Sequence, residues 1–347
     1  MSRRFRTRVD LRIAAALLLA GLSTPASWAA PRELAIRDLG TFNGVDSAGI
    51  ALNDRGQVVG VALVGPEETR SFLWDAARMI DLGPGNLGVV DINNREQILF
   101  QQFHARIDTP TSCFLRDGET MINLGTPDGT RCFASDLNNR GQVVGVDQES
   151  DPGHTKTFAF IWEAGTLTDL GSLGGGYAVA TAINDRGQVV GGSTTPSGDE
   201  HAFLWDAGKM TDLGAPGASW SAAYAINNRR QVVVTSGSHV YLWDAGSMTD
   251  LGTLAGNDTY PQISYPLDIN ERGQILFAVY DVSAGVFRYG LWEGGTFTRL
   301  PTLGSGLPTG ARLNNRGQVV GADRTNAAGI AHVVLWTPSA SPGRGHQ

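Results

Sequence analysis

The chain has 347 residues, a net charge of −7, 8% aromatic residues, 45 Gly and 15 Pro, a turn-rich composition that is neither disordered nor collagenous. Lys156 and Lys209 are its only lysines, and so acidic a chain lacks the clustered cations that a general nucleic-acid binder sets against phosphates.

The first element is not part of the fold. Arg3, Arg4, Arg6, Arg8 and Arg12 lead into the apolar run from Ile13 to Gly21, and Ser27 and Ala29 supply small residues, the pattern of a secretory signal peptide over 1–29 cut after Ala29 or Ala30. "SRRF" resembles a twin-arginine signal, but the Phe comes one place early and the usual continuation is missing, so ordinary secretion is the reading. Cleavage removes five Arg and one Asp and leaves the mature chain more acidic. No later window reaches the roughly 18 to 20 apolar residues of a membrane helix, so the mature protein is expected to be soluble, monomeric and secreted or periplasmic.

Next comes "ELAIRDLG" at Glu33 to Gly40, which has the look of a last strand without its unit. Behind it the chain repeats one phrase: "ALNDRGQVVGV" from Ala51, "DLNNRGQVVGV" from Asp136, "AINDRGQVVGG" from Ala182 and "RLNNRGQVVGA" from Arg312. The first Asn of the phrase falls at Asn53, Asn93, Asn138, Asn184, Asn227, Asn270 and Asn314, a period of 40 to 46 residues. Each copy runs into an apolar stretch ending in Trp74, Arg116, Trp162, Trp205, Trp243, Trp292 or Trp336, and most then pass through a short turn into a "TDLG"-like stretch. In the fourth unit this predicts strand a at Ala180 to Asn184, b at Gln188 to Gly192, c at His201 to Trp205 and d at Lys209 to Leu213. Strand c is apolar on both faces and must be covered on both sides.

Seven four-stranded units of this kind build either a β-propeller or an open stack. The last unit stops after strand c, at "HVVLW" ending in Trp336, and the orphan strand at the N-terminus supplies what it lacks. The prediction is an all-β, seven-bladed β-propeller over residues 30–338, closed by an N-terminal outer strand, with a disordered tail over 339–347.

"NDRGQ" at Asn184 to Gln188 reads as a three-residue hairpin connection, with Asn bonding the backbone that follows it and Gly187 left-handed at a bulge. Asn and Gln recur in all seven copies, and Gly yields to Glu96 and Arg230 in two; residues that serve every blade are structural rather than an active site. "HAFLWDAGKMTDLG" from His201, following "AINDRGQVVGGSTT", resembles the HAF-repeat family of bacterial extracellular proteins over roughly residues 33 to 336. The resemblance implies export and a repeat fold, and it supplies no catalytic residues.

Chemistry must then lie in what varies. The first position of strand c reads Arg70, Ser112, Phe158, His201, His239, Arg288 and His332, a slot suited to packing or hydrogen bonding between blades rather than to metal binding, and no paired-His zinc spacing occurs. Carboxylates gather after strand b: Glu67 and Glu68; Glu149 and Asp151, with His154; Asp199 and Glu200. They read as solvated loops, with a calcium site or an acid/base pair as the alternatives; otherwise no cofactor is expected. No phosphate loop precedes a helix and no serine nucleophile sits in a strand-to-helix context.

Arg55, Arg95, Arg140, Arg186, Arg229, Arg272 and Arg316 precede the turn position in every unit and define a candidate anion-binding rim around one mouth of the channel, unless each pairs locally with a neighbouring acid. Cys113 and Cys132, the only cysteines of an exported chain, are a disulfide candidate beside the unit that lacks its Trp. The function read from all this is a binding module for an envelope or extracellular protein or a glycan. The alternatives are a propeller enzyme, such as a hydrolase or lyase acting on glycans with carboxylates from the b–c and d–a loop face or a quinoprotein, and a structural envelope or matrix protein.

Overall fold

The computed structural model describes residues 34–339 apart from 43–44, 66–67, 103–110, 126–130, 152–153, 215, 253–263, 282–285, 304–310 and 325–328. The expected signal segment 1–29 and all but the first residue of the expected tail 339–347 lie outside the described residues, as does Glu67. Seven antiparallel sheets of four strands form a seven-bladed β-propeller. In blade 4 the strands are Ala178–Ile183, Val189–Thr194, Glu200–Asp206 and Lys209–Gly214, each within one or two residues of its position in the sequence pattern. The N-terminal strand Leu34–Gly40 is hydrogen-bonded to strand c of blade 7, Ala331–Pro338, with Leu34 opposite Pro338 and Ile36 opposite Trp336. The ring is therefore closed by its first strand.

Packing explains why strand c is apolar throughout. Phe203 is fully buried against Val144, Ala159 and Ile161 of blade 3, while its neighbour Leu204 packs on Ala223 and Val232 of blade 5. Each such side chain stabilises by roughly 1.5–3 kcal/mol, and both depend on the flanking blades. Strand a of every blade touches strand a of both neighbours, so these strands line the axis.

In the six blades with a full strand a the register slips by one residue just before the repeated Asn, as between Ala180 and Ala182. This bulge drives a carbonyl at the facing glycine of strand b. A Cβ on Gly191 would stand 1.8 Å from the Val179 oxygen and 3.0 Å from the Phe203 ring, which is why the phrase reads "VVG" there.

The repeated Asn is the hub of the ring. Asn184 Oδ1 accepts the backbone N–H of Arg186 and of Gln188, each at 3.0 Å, while its Nδ2 donates to Gln188 Oε1 at 2.8 Å and to the Asn227 carbonyl of the next blade at 3.0 Å. All four hydrogen-bonding positions of the amide are used. The interblade bond recurs at every junction and returns from Asn314 to the carbonyl of Asn53 at 3.0 Å, a closed circle of seven. The turn glycine has φ of +82° at Gly187, and Glu96 and Arg230 are held at +65° and +67° in the same slot.

Candidate functional site

The axial channel has two mouths of different chemistry. At the a–b end it opens through a polar cavity of about 160 Å³. The rim is made by the residue after each hub Asn: Asp54, Asn94, Asn139, Asp185, Asn228, Glu271 and Asn315. Each side chain accepts the backbone N–H of the corresponding residue in a neighbouring blade at 2.7–2.9 Å, a second closed circle outside the first. Asp54 also takes the amides of Asn94 and Asn315, and Asp185 those of Asn139 and Asn228, so these two carboxylates are consumed by the ring.

The seven arginines of the rim motif are on this face but do not line the mouth. Arg55 pairs with Glu96, Arg140 with Glu163 at 3.2 Å, Arg95 donates to the carbonyl of Arg140 at 3.2 Å, and Arg229 to Gln231 Oε1 at 2.8 Å. They run along the rim: Arg140, Arg229 and Arg272 lie over Gly187, Gly273 and Gly317 of the following blade. Arg186, Arg272 and Arg316 make no side-chain hydrogen bond or ion pair among the described residues.

Deeper in the channel, two residues before the hub Asn, the blades carry Ala51, Asp91, Asp136, Ala182, Ala225, Asp268 and Arg312. Asp91 accepts Ile92 N at 2.8 Å and Leu137 N of blade 3 at 3.1 Å; Asp136 accepts Leu137 N at 3.0 Å and Ile183 N of blade 4 at 2.7 Å. Asp268 likewise ties Ile269 N to Leu313 N, at 2.8 and 2.9 Å. Each carboxyl thus clamps two blades. Burial, and then the adjacent Asp136 carboxylate, push Asp91 well above the ordinary carboxylate range, and burial raises Asp268 to about 6. Burial works against the charge of Arg312, yet Asp268, Asp91 and Asp136 outweigh it and hold the guanidinium protonated. These unrepeated carboxylates sit on the a–b side, apart from the b–c and d–a loops from which the enzyme alternative would draw its carboxylates. Asp91 and Asp136 share one N–H, that of Leu137.

At the d–a mouth the chemistry changes. Five large hydrophobic side chains stand exposed among the described residues, and the three aromatic ones are at this end of strand a in consecutive blades. Tyr177 (38% exposed) immediately precedes strand a of blade 4, Trp220 (43%) immediately precedes strand a of blade 5, Ser221–Ile226, and Tyr265 (42%) is the second residue of strand a of blade 6, Ser264–Ile269. Glu200 lies beside the first two: its backbone bridges that of Trp220, and partial burial, followed by the Glu200 charge, raises the Tyr177 phenol. Asp199 is next to it, accepting Ser197 Oγ at 2.7 Å. The side chains of Glu149, Asp151 and His154 lie outside the described residues, and among the described residues no group of three or more His, Cys, Asp or Glu is placed to hold a metal ion.

In four blades the first position of strand c bonds within its own blade, whereas in blade 6 the charge of Arg288 acts on Asp323 of blade 7. His201 Nδ1 lies 2.8 Å from Asp212, His239 from Asp250 and His332 from Asp38 at the same distance, and Arg70 reaches Asp81 at 2.6 Å. The Asp of "TDLG" is thus the partner of the signature His, across the c–d ladder. Cys113 in strand c of blade 2 and Cys132 in strand a of blade 3 form a disulfide with Cα atoms 5.8 Å apart, buried beside Leu115, Leu137 and Trp162. Arg116, in the Trp slot next to it, turns outward to the Gly118 carbonyl.

No protein-family model and no curated protein matches the chain. Solved structures do match in shape. The β-propeller domain of the Trilobed protease from Pyrococcus furiosus, described as having an open velcro topology, aligns with TM-score 0.58 at 11% identity over 84% of this chain and 95% of its own. Oligogalacturonate lyase in complex with manganese gives 0.57 at 11% over 90% and 98%, and a catalytically inactive virginiamycin B lyase from Staphylococcus aureus with quinupristin gives 0.53 at 12% over 88% and 99%. Such identities establish the fold alone. Among the described residues no helix is long and apolar enough to cross a membrane.

Proposed function

We propose that the chain is an exported propeller of the HAF-repeat kind that works as a binding module, and that it grips a glycan across the d–a mouth. The observation that carries this reading is the run of Tyr177, Trp220 and Tyr265 on three consecutive blades, with Glu200 beside the first two. Single exposed aromatics need no explanation, but three on one lip are a platform on which the apolar faces of sugar rings can lie. Carboxylates alongside accept sugar hydroxyls. Binding is favoured over catalysis because the channel carboxylates are engaged with backbone amides.

Affinity electrophoresis of the mature protein through gels containing soluble polysaccharides tests this. At least one neutral glycan should retard the wild type, and Tyr177→Ala with Trp220→Ala should weaken the retardation at least tenfold without lowering the melting temperature. Equal retardation of the variant, or none of the wild type by any glycan, would overturn it.

A further inference from the structure

On the opposite face, a groove of about 430 Å³ runs between blades 3 and 4. Its floor is the half-buried indole of Trp205, and its walls carry Arg186, Gln142, Thr166, Thr168 and Asp206. Volume alone would not make it a site. The decisive feature is that its hydrogen-bond donors are unspent while its acceptors are engaged.

Gln142 is 4% exposed, and its Oε1 accepts the hub amide of Asn138 at 2.7 Å. In blades 2, 4 and 5 the equivalent Nε2 donates to the acid that follows strand c, as Gln188 does to Asp206 at 2.8 Å. In blade 3 that acid, Glu163, is taken by Arg140 instead, so Gln142 Nε2 has no protein partner among the described residues. Arg186 is unpartnered too. Its counterparts Arg140, Arg229 and Arg272 lie over the turn glycine of the next blade, but the next blade here has Arg230 in that slot, a like charge with its guanidinium over Trp243 at 5.7 Å. With no glycine to lie over, Arg186 lines the groove instead.

The unpartnered amide of a largely buried glutamine, a guanidinium and two threonines thus line one groove beside an aromatic ring. We infer that this groove binds a carboxylate-bearing sugar residue, the carboxylate forked by Arg186 and met by Gln142 Nε2, the ring stacked on Trp205. The site is independent of the d–a lip, and it makes one arginine of the seven an anion site rather than the whole ring.

The test is titration calorimetry of the mature protein with trigalacturonate, its methyl ester and a sulfated disaccharide at low salt. Trigalacturonate should bind and weaken as salt rises, with the ester and the sulfated sugar each at least tenfold weaker. Arg186→Gln should lose at least tenfold, and Arg230→Gly, which is outside the groove lining, should lose several-fold by letting Arg186 swing over the new glycine. Tyr177→Ala with Trp220→Ala should leave this binding unchanged, which separates it from the d–a site. Undiminished binding by Arg186→Gln, equal binding of the ester or of the sulfated sugar, or no binding by the wild type would overturn the inference.

Discussion

The two mouths of one channel are built from opposite halves of the repeat. The a–b mouth is made of residues that every blade shares or nearly shares, and their side chains are occupied with one another: the hub Asn uses all four of its hydrogen-bonding positions, and the rim outside it closes a second circle. The d–a mouth is made of residues that no two blades need share, and there aromatic groups remain exposed. Repetition thus marks what holds the ring, and departure from it marks what is free to meet a ligand.

The sharpest way to break this contrast is to strike the hub. Asn184→Ala orphans the Gln188 and Asn227 acceptors and two backbone donors, most of them buried, and should cost about 4 kcal/mol in urea unfolding. Serine at both Cys113 and Cys132 should cost about 3 kcal/mol in the same measurement, because the disulfide ties blade 2, which lacks its Trp, to blade 3. The channel clamp responds to pH. Asp268 titrates near 6 in the fold against 3.8 as an ordinary carboxylate, so the native state holds the extra proton between those values. Its stabilisation is full below about 4 and is lost as pH rises through 6. The unfolding midpoint of Asp268→Asn minus that of the wild type should therefore increase between pH 5 and pH 7.5. Glu96→Gly relieves a positive φ worth about 1 kcal/mol and gives up an exposed ion pair with Arg55, for a net gain of about 0.5 kcal/mol in thermal unfolding. At the other mouth, Trp220→Ala should move stability by no more than about 0.5 kcal/mol.

The blades, the closing strand and the hairpin were legible because each rests on a repeated local pattern: Asn, Gly and Gln at fixed offsets, and a strand c with no polar face. The site was less so. The column Ala51, Asp91, Asp136, Ala182, Ala225, Asp268, Arg312 carried a readable signal, four charged residues in a strand otherwise apolar, but only the bulge shows that they face the axis. Arg186 looks like its six counterparts in sequence. What sets it apart is its neighbour in the next blade, Arg230 where most blades have the turn glycine, and that neighbour is known only once the ring fixes which turn lies beside which. Trp220 and Tyr177 are unremarkable letters before a strand; their exposure depends on which end of the strand meets solvent.

The pairing of Leu34 with Pro338 puts the two ends of the folded chain side by side on the outer edge of a single blade. Pro338 lies against the a–b turn at Gly317, so anything joined to either end, whether a tether to a surface or a second module, would leave from the a–b face, and the d–a opening would lie clear of its path. The protein can be held by one face while the other stays open to what passes.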